Sequence, residues 1–203
     1  MDISTISHEG KGVLWLLPLL FFLVIAHHIR IKQFFNRFTV KVGAQCRLDS
    51  SIYYEFRQVE LHSLSGPETA DYVYLSIYGI FVVNTPNRQG RISGDANAVH
   101  WIQHILKSEE RFPNPLLENQ RRIRSLSQQL GLLPNRFYSV VAFPSHSQFQ
   151  NMMPDNVLDI RDFAEYVEQY QEIVFSEEEL VQIKSALETS EFDVVFSQPH
   201  LNA

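Results

Sequence analysis

Two consecutive apolar strands constrain the fold of this chain more than any other feature. Residues 70–76 and 80–84 are rich in Val, Ile, Tyr and Phe, and the two runs are joined at Tyr78-Gly79. β-branched and aromatic residues favour strands, and a short glycine-containing connection favours a hairpin. Pro86 ends the second strand, because proline has no N–H to donate to a sheet. The pattern predicts two strands joined at Tyr78-Gly79 and followed by a turn.

The rest of the pattern predicts an α/β sandwich with a mixed sheet. Alternation and breakers predict further strands over residues 52–61, 91–93, 137–143 and 157–160, and helices over residues 116–130, 163–170 and 178–187. Gly131 closes the first helix, and Ser176 with Glu179 forms a capping box for the last. Residues 98–106 predict a short helix or an ordered loop.

An uncharged apolar run precedes these elements. Residues 13–29 carry no charge, and with Gly12 the run approaches the roughly 20 residues that span a bilayer. We expect a transmembrane helix over 13–29, after a short tail at 1–12 and before a basic linker at 30–48. Two alternatives stay open: a signal peptide cleaved near Val24-Ile25-Ala26, and a buried core helix.

The flanks of the apolar run predict its orientation. Five cations follow it (Arg30, Lys32, Arg37, Lys41 and Arg47), whereas Lys11 alone precedes it. Positive residues stay on the cytoplasmic side, so we expect a single-pass membrane protein with a cytoplasmic C-terminal domain. Cys46 is the single cysteine and excludes an internal disulfide, which agrees with a reducing compartment.

Charge divides the chain unevenly. Residues 1–149 hold 15 Lys and Arg against 11 Asp and Glu, a net +4, and residues 150–203 hold 2 against 12, a net −10. Phosphate neutralisation dominates nucleic-acid affinity, so any nucleic acid should bind the first part. We expect residues 151–203 to be an acidic helical extension that packs on a domain at 49–150.

Several short motifs follow one another between residues 50 and 145. They are Ala70-Asp71-Tyr72, Gly79-Ile-Phe-Val-Val-Asn84-Thr85-Pro86-Asn87, Gly90-Arg-Ile-Ser-Gly94, Trp101-Ile-Gln103, Asn114-Pro115 and Val140-Val-Ala-Phe143. Their order and spacing resemble the nuclease-related domain, or NERD, a member of the PD-(D/E)xK nuclease-like superfamily. The resemblance implies a mixed-sheet sandwich of restriction-endonuclease-like type.

The resemblance also implies a metal site, and the sequence departs from it. In that superfamily an acidic pair binds a divalent metal and a lysine positions the attacking water. Asp71 matches one acid, whereas Asn84 and Pro86 occupy the positions of the second acid and the lysine. Hard cations prefer carboxylate oxygens. We therefore expect a vestigial site without a cofactor, in which Glu118 is the substitute carboxylate and Asp71 binds Mg²⁺ only if nuclease activity persists.

Five arginines are candidates for phosphate contacts. Arg88 and Arg91 follow the strand pair, and Arg121, Arg122 and Arg124 cluster on the predicted helix. The alternative for the helical cluster is a solvated face. His100 and His104 would share the face of a helix, but the zinc-protease pattern is absent, since no Glu follows His100.

Three functions remain open from the sequence. The first is a membrane-anchored, catalytically inactive NERD-like protein that acts as a binding or scaffold module for nucleic acid. The second is an active metal-dependent DNA nuclease with a rearranged site. The third, which the acidic C-terminal part favours, is a membrane protein that binds a protein partner and does not contact nucleic acid.

Overall fold

The computed structural model describes residues 48–63, 66–106 and 108–189. These ranges form nine strands and three α-helices around two sheets. The strands are β1 (Tyr54–Ser63), β2 (Gly66–Ser76), β3 (Gly79–Asn84), β4 (Gly90–Ser93), β5 (His100–Ile105), β6 (Ser108–Pro113), β7 (Phe137–Phe143), β8 (Ser147–Phe149) and β9 (Val157–Asp159); the helices are α1 (Pro115–Leu130), α2 (Phe163–Glu168) and α3 (Glu177–Thr189).

The larger sheet has the order β1-β2-β3-β7-β9. Its first three strands are antiparallel, and β7 and β9 add to them in parallel. The antiparallel pairing of β2 with β3 confirms the predicted strand pair, and all six residues of β3 are buried. The parallel step from β3 to β7 needs a crossover, and this crossover includes α1.

The smaller sheet has the order β6-β5-β4-β8 and is also mixed. The predicted helix or ordered loop over residues 98–106 is wrong, since residues 100–105 of this segment form the strand β5. Trp101 and Gln103 are buried in β5 while His100 and His104 are more exposed, so the side chains alternate in burial. Pairing with β4 and β6 determines this strand, and both partners are weak strand signals in the sequence.

Helices α1 and α3 pack on one face of the larger sheet. Leu126 and Leu130 of α1 and Ile183 of α3 are buried in the same apolar cluster as Val73 and Val82 of the sheet. Burial of such side chains contributes about 1.5–3 kcal/mol each. The C-terminal region is therefore part of the main core, and β9 extends the sheet itself.

The ends of α1 and α3 follow the predicted chemistry. The Asn114 side chain accepts a hydrogen bond from Leu116 N at 2.9 Å, and Gly131 ends α1 in the left-handed conformation with φ 65°. Ser176 Oγ accepts from Glu179 N at 3.2 Å while Glu179 Oε2 accepts from Ser176 N at 2.9 Å. This reciprocal pair is the predicted capping box.

The predicted membrane segment lies outside the described residues. Within 48–63, 66–106 and 108–189, no helix combines the length and the apolar character that crossing a bilayer requires.

Candidate functional site

Asp71 and Asn84 lie side by side where the pairing of β2 with β3 ends, in the middle of β2 and at the last residue of β3. The register pairs Tyr72 with Val83, so the next residues on the two strands are opposite one another. Asp71 Oδ2 accepts hydrogen bonds from Thr85 N at 2.8 Å and from Thr85 Oγ1 at 3.0 Å. One carboxylate oxygen of Asp71 therefore already accepts two hydrogen bonds from the end of β3.

The β1–β2 ladder is interrupted beside Asp71. Arg57 pairs with Tyr72 and Val59 pairs with Ala70, but the intervening Gln58 and Asp71 do not pair. Gln58 has φ 51°, a left-handed conformation that is uncommon for a residue other than glycine. Asp71 thus lies at a break in the sheet, which gives its side chain the freedom to turn towards Thr85.

Asn84 is an amide that acts as a donor. Its side chain is 4% exposed, and Nδ2 donates to Pro115 O at 3.3 Å, at the start of α1. An ionised carboxylate at this position has no hydrogen to donate, so it would face the Pro115 carbonyl oxygen without a hydrogen bond. The amide links β3 to α1, which gives Asn84 a structural role.

The predicted substitute carboxylate, Glu118, is part of a polar pocket. Glu118 lies in the first turn of α1, where it lines a small pocket with Glu68, Thr69, Arg121 and Arg122. Within the described ranges, no three His, Cys, Asp or Glu side chains are arranged to hold a metal ion. Asp71 with Asn84 and Pro86 does not fit a divalent cation, because a single carboxylate is present and the amide is turned to Pro115.

Arg88 has a structural role. Its Nη1 donates to Gln103 Oε1 at 3.0 Å and to Glu110 Oε1 at 2.6 Å, and its guanidinium lies 4.9 Å from the centre of the Phe112 ring. The Arg88 carbonyl also accepts a hydrogen bond from Ser147 Oγ at 2.5 Å. These contacts hold the strands of the smaller sheet together and engage the Nη1 of Arg88 within the domain.

The other four predicted arginines lie in two places. Arg91 is exposed on β4, in the smaller sheet. Arg121 and Arg122 line the pocket on α1, whereas Arg124 is exposed and donates Nε to Gln120 O at 3.4 Å. The structure therefore does not bring the five arginines together as one phosphate-binding surface.

His100 and His104 cannot share a metal ion. Four residues of a strand span roughly 13 Å, so the two rings are far apart. His104 instead lies between two other side chains, with Nε2 3.3 Å from Ser93 Oγ and Nδ1 3.1 Å from Glu109 Oε1. This chain of contacts crosses β4, β5 and β6 and ties the hairpin to its neighbour.

Asn114 and Asn119 are two buried polar residues whose importance the sequence did not reveal. Asn119 is fully buried on α1, and its Nδ2 donates to Val82 O at 2.7 Å and to Ser139 Oγ at 2.9 Å. Asn114 Nδ2 donates to Ala98 O at 2.6 Å and to Ala96 O at 3.0 Å. The asparagine of the Asn-Pro motif therefore caps α1 and also anchors the loop before β5.

The two glycines of the Gly-x-Ile-x-Gly motif are each required by the structure, for different reasons. Gly90 has φ 82°, and a Cβ there would lie 2.7 Å from His104 O. Gly94 packs against the indole of Trp101, where a Cβ would overlap the ring. Trp101 in turn donates Nε1 to Asp95 O at 2.9 Å. The two glycines therefore allow β4 and the turn that follows it to lie close to β5.

The geometry and the motifs define a nuclease-related α/β domain, and comparison with known proteins agrees. The family model of the nuclease-related domain, NERD, matches residues 36–144, more than half of the chain. The chain therefore belongs to the NERD family. Asp71, Asn84, Pro86 and Glu118 all lie within the matched residues.

One curated relative gives a more distant comparison. An uncharacterised protein of Bacillus anthracis is 27% identical over 146 residues, which cover 68% of this chain and 66% of that protein. The chain thus spans just under two thirds of the length of this relative. No solved structure matches the chain significantly.

Proposed function

We propose that this chain is a membrane-anchored NERD-domain protein, of restriction-endonuclease-like type, that binds nucleic acid without cutting it. The observation that carries the proposal is the use of Asn84 as a hydrogen-bond donor to Pro115 O, beside an Asp71 that accepts from Thr85. A two-carboxylate metal site would need an acceptor where this fold uses a donor. Asp71 and Asn84 keep the positions of the two metal ligands of the superfamily, but the second carboxylate and the lysine amine are absent.

Two of the three side-chain roles in metal-dependent phosphodiester cleavage lack their usual residue here, and Asp71 keeps the third. A metal stabilises the leaving oxygen and lowers the pKa of water, and it prefers carboxylate ligands, whereas Asn84 offers only a neutral and weaker amide oxygen. Pro86 has no amine to position that water. Arginine remains protonated and is a poor base, so neighbouring guanidinium groups do not replace the lysine. Binding survives this loss, because it depends on cations and shape rather than on a metal.

The experiment compares binding and cleavage by the full chain in detergent micelles. Single- and double-stranded DNA are incubated with Mg²⁺ or Mn²⁺, beside an Asp71→Ala variant. We expect salt-dependent binding and no cleavage by either protein. Metal-dependent cutting that disappears in Asp71→Ala would establish the rearranged nuclease instead. Absence of any binding would favour a protein partner.

The membrane anchor is a separate part of the proposal. It rests on the uncharged run at 13–29 and on the five cations that follow it. We expect the full chain to remain in the membrane pellet after carbonate extraction, while a variant that lacks residues 1–29 is released. Release of the full chain would contradict the anchor, and loss of about 26 N-terminal residues on maturation would indicate a signal peptide.

A further inference from the structure

Strand β1 lies at an edge of the larger sheet. In the order β1-β2-β3-β7-β9 it is the terminal strand, and within residues 48–63, 66–106 and 108–189 it pairs with β2 alone. An edge strand presents a row of backbone N–H and C=O groups that can pair with another strand. We call its first part, residues 54–58, the β1 edge segment. A strand that pairs here must also match the side chains of this segment.

The β1 edge segment is accessible to a second strand. Glu55, Arg57 and Gln58 are exposed. A depression of about 390 Å³ is lined by residues 55–60 of β1, together with Leu187 and Glu188 at the end of α3. Successive side chains of a strand point to opposite faces of the sheet. A depression lined by six consecutive residues therefore follows the edge of the strand itself.

Glu55 and Arg57 place an acid and a base on the same face of this edge. Arg57 Nε donates to Glu55 Oε1, and Tyr74 OH donates to Glu55 Oε2 at 3.1 Å. The Arg57 guanidinium also lies 5.8 Å from the centre of the Tyr72 ring. The bond to Glu55 uses Nε, and a guanidinium has further N–H donors on its two Nη groups. The Arg57 side chain is 53% exposed, so a second carboxylate can reach it.

The β1 edge segment is complementary to a second copy of itself. Two antiparallel copies related by a two-fold axis at Phe56 place Glu55 of each copy opposite Arg57 of the other. Phe56 then lies opposite the Phe56 of the second copy, and Tyr54 lies opposite Gln58. Opposite charges and aromatic pairs directly across an antiparallel pair are stabilising. A two-fold interface requires this property, because one surface must fit an identical surface.

Neighbouring registers lack this match. Residues that face each other across a sheet lie on the same face, so a two-fold axis normal to the sheet passes through a residue. An axis at Glu55 would set Glu55 against its own copy, and an axis at Arg57 would set Arg57 against its own copy. Like charges directly opposite are destabilising. Gln58, with φ 51°, interrupts the extended backbone after the segment and restricts the register further.

We propose that two copies of this chain associate through their β1 edge segments, antiparallel and with the two-fold axis at Phe56. The association joins the two larger sheets into one continuous sheet. Two reciprocal ion pairs, Glu55 of each copy with Arg57 of the other, determine the register and the choice of partner. The inference concerns an interaction surface that does not depend on the proposed binding of nucleic acid.

Sedimentation of the full chain in detergent, over a range of concentrations, tests the proposal. The unchanged chain should be in equilibrium between monomer and dimer. Arg57→Glu and Glu55→Arg each place like charges opposite one another at both pairs, so each should weaken self-association about tenfold or more. An equimolar mixture of the two variants pairs acids with bases and should restore the dimer. Glu60→Arg reverses an exposed charge beyond Gln58 and is the matched control, which should behave like the unchanged chain.

The mixture provides the decisive measurement. Two variants that had only lost their fold would not associate with each other, and circular dichroism verifies the fold of each. A chain that stays monomeric at every concentration would contradict the proposal. If Arg57→Glu and Glu55→Arg both dimerise like the unchanged chain, the association lies elsewhere and the proposal is wrong. It is also wrong if both variants are monomers and their mixture stays monomeric.

Discussion

At the scale of single residues, Asn84 and Asp71 have hydrogen-bond partners that the sequence did not reveal. The sequence shows that Asn84 and Pro86 stand where an acid and a lysine are expected, but not what Asn84 does. The structure gives it a donor role towards Pro115 O, and Thr85 donates to Asp71. These short contacts join residues that are distant in sequence, so spacing alone could not predict them.

Asn84→Asp should destabilise the domain. The carboxylate would face Pro115 O without a donor, in a site that is 4% exposed, and the loss should be about 1–3 kcal/mol at pH 7. Burial raises the pKa of such an acid, so the destabilisation should diminish as the pH falls towards the pKa of the folded state. Urea unfolding at pH 7 and pH 5 measures both effects, with exposed Asn87→Asp as the control. Equal stability of Asn84→Asp and the unchanged chain at pH 7 would contradict the donor role.

Gly94→Ala should destabilise the smaller sheet. The added Cβ would overlap the Trp101 indole, which is fully buried, and overpacking of this kind costs about 1–3 kcal/mol. The midpoint of thermal unfolding should fall, and the near-ultraviolet signal of tryptophan should change. Asn97→Ala in the same exposed turn is the control and should leave both nearly unchanged. A normal midpoint for Gly94→Ala would mean that Trp101 moves at little cost.

At the scale of elements, the sequence correctly predicted the segments whose structure depends on residues within the segment itself. The helices α1 and α3 have caps and breakers close to their ends, and the sequence predicted both. The strand β5 has no such signal, since its partners β4 and β6 are short and β6 is nearly all polar and exposed. The conformation of β5 depends on pairing across the sheet, and the predicted helix or loop is wrong for that reason.

Glu179 should make the stability of α3 depend on pH. A hydrogen bond from Arg136 at 2.7 Å, then one from Ser176 N, lowers the pKa of Glu179 below its ordinary value of 4.5. A lowered pKa means that the stabilisation is complete above 4.5 and is lost as the pH falls through the pKa of the folded state. The carboxylate is partly exposed, so the effect should be only about 0.5–1 kcal/mol.

Chemical unfolding from pH 7 to pH 3 measures this effect. Glu179→Gln should be less stable than the unchanged chain at pH 7 and should approach it at pH 3. Glu178→Gln, exposed in the same turn, is the control and should behave like the unchanged chain at every pH. A constant difference between Glu179→Gln and the unchanged chain would show that the charge of Glu179 is not involved.

At the scale of the whole molecule, the acidic C-terminal region belongs to the core. Ile183, Ala186 and Leu187 of α3 are buried with residues of β1, β2 and β3. The sequence shows the excess of acidic residues, which lie on the outer side, but it does not show how much of the region is buried. A charge count therefore describes the surface of α3 and not its contribution to stability.

Ile183→Ala should destabilise the entire domain rather than one end of it. Ile183 is fully buried in the main cluster, and loss of such a side chain costs about 2–5 kcal/mol through transfer and cavity terms. Unfolding should remain a single transition when it is followed by both circular dichroism and tryptophan fluorescence. Val181→Ala, at a position that is 67% exposed, should change stability by less than about 0.5 kcal/mol. Two separate transitions would show that α3 is an independent appendage.

The sequence by itself determined the family, the strand pair and the capped helices, and it has Asn84 and Pro86 where the resemblance implies an acid and a lysine. These features depend on residue type and on short spacings. Only the tertiary structure decided the pairing of β5, the place of α3 in the core, the bond from Asn84 to Pro115 and the position of β1 at an edge of the larger sheet. Each of these depends on groups brought together from distant parts of the chain, whose proximity is set by packing and not by local preference. The sequence predicted that Asp71 and Asn84 lie on two joined strands, but it did not predict their hydrogen-bond partners.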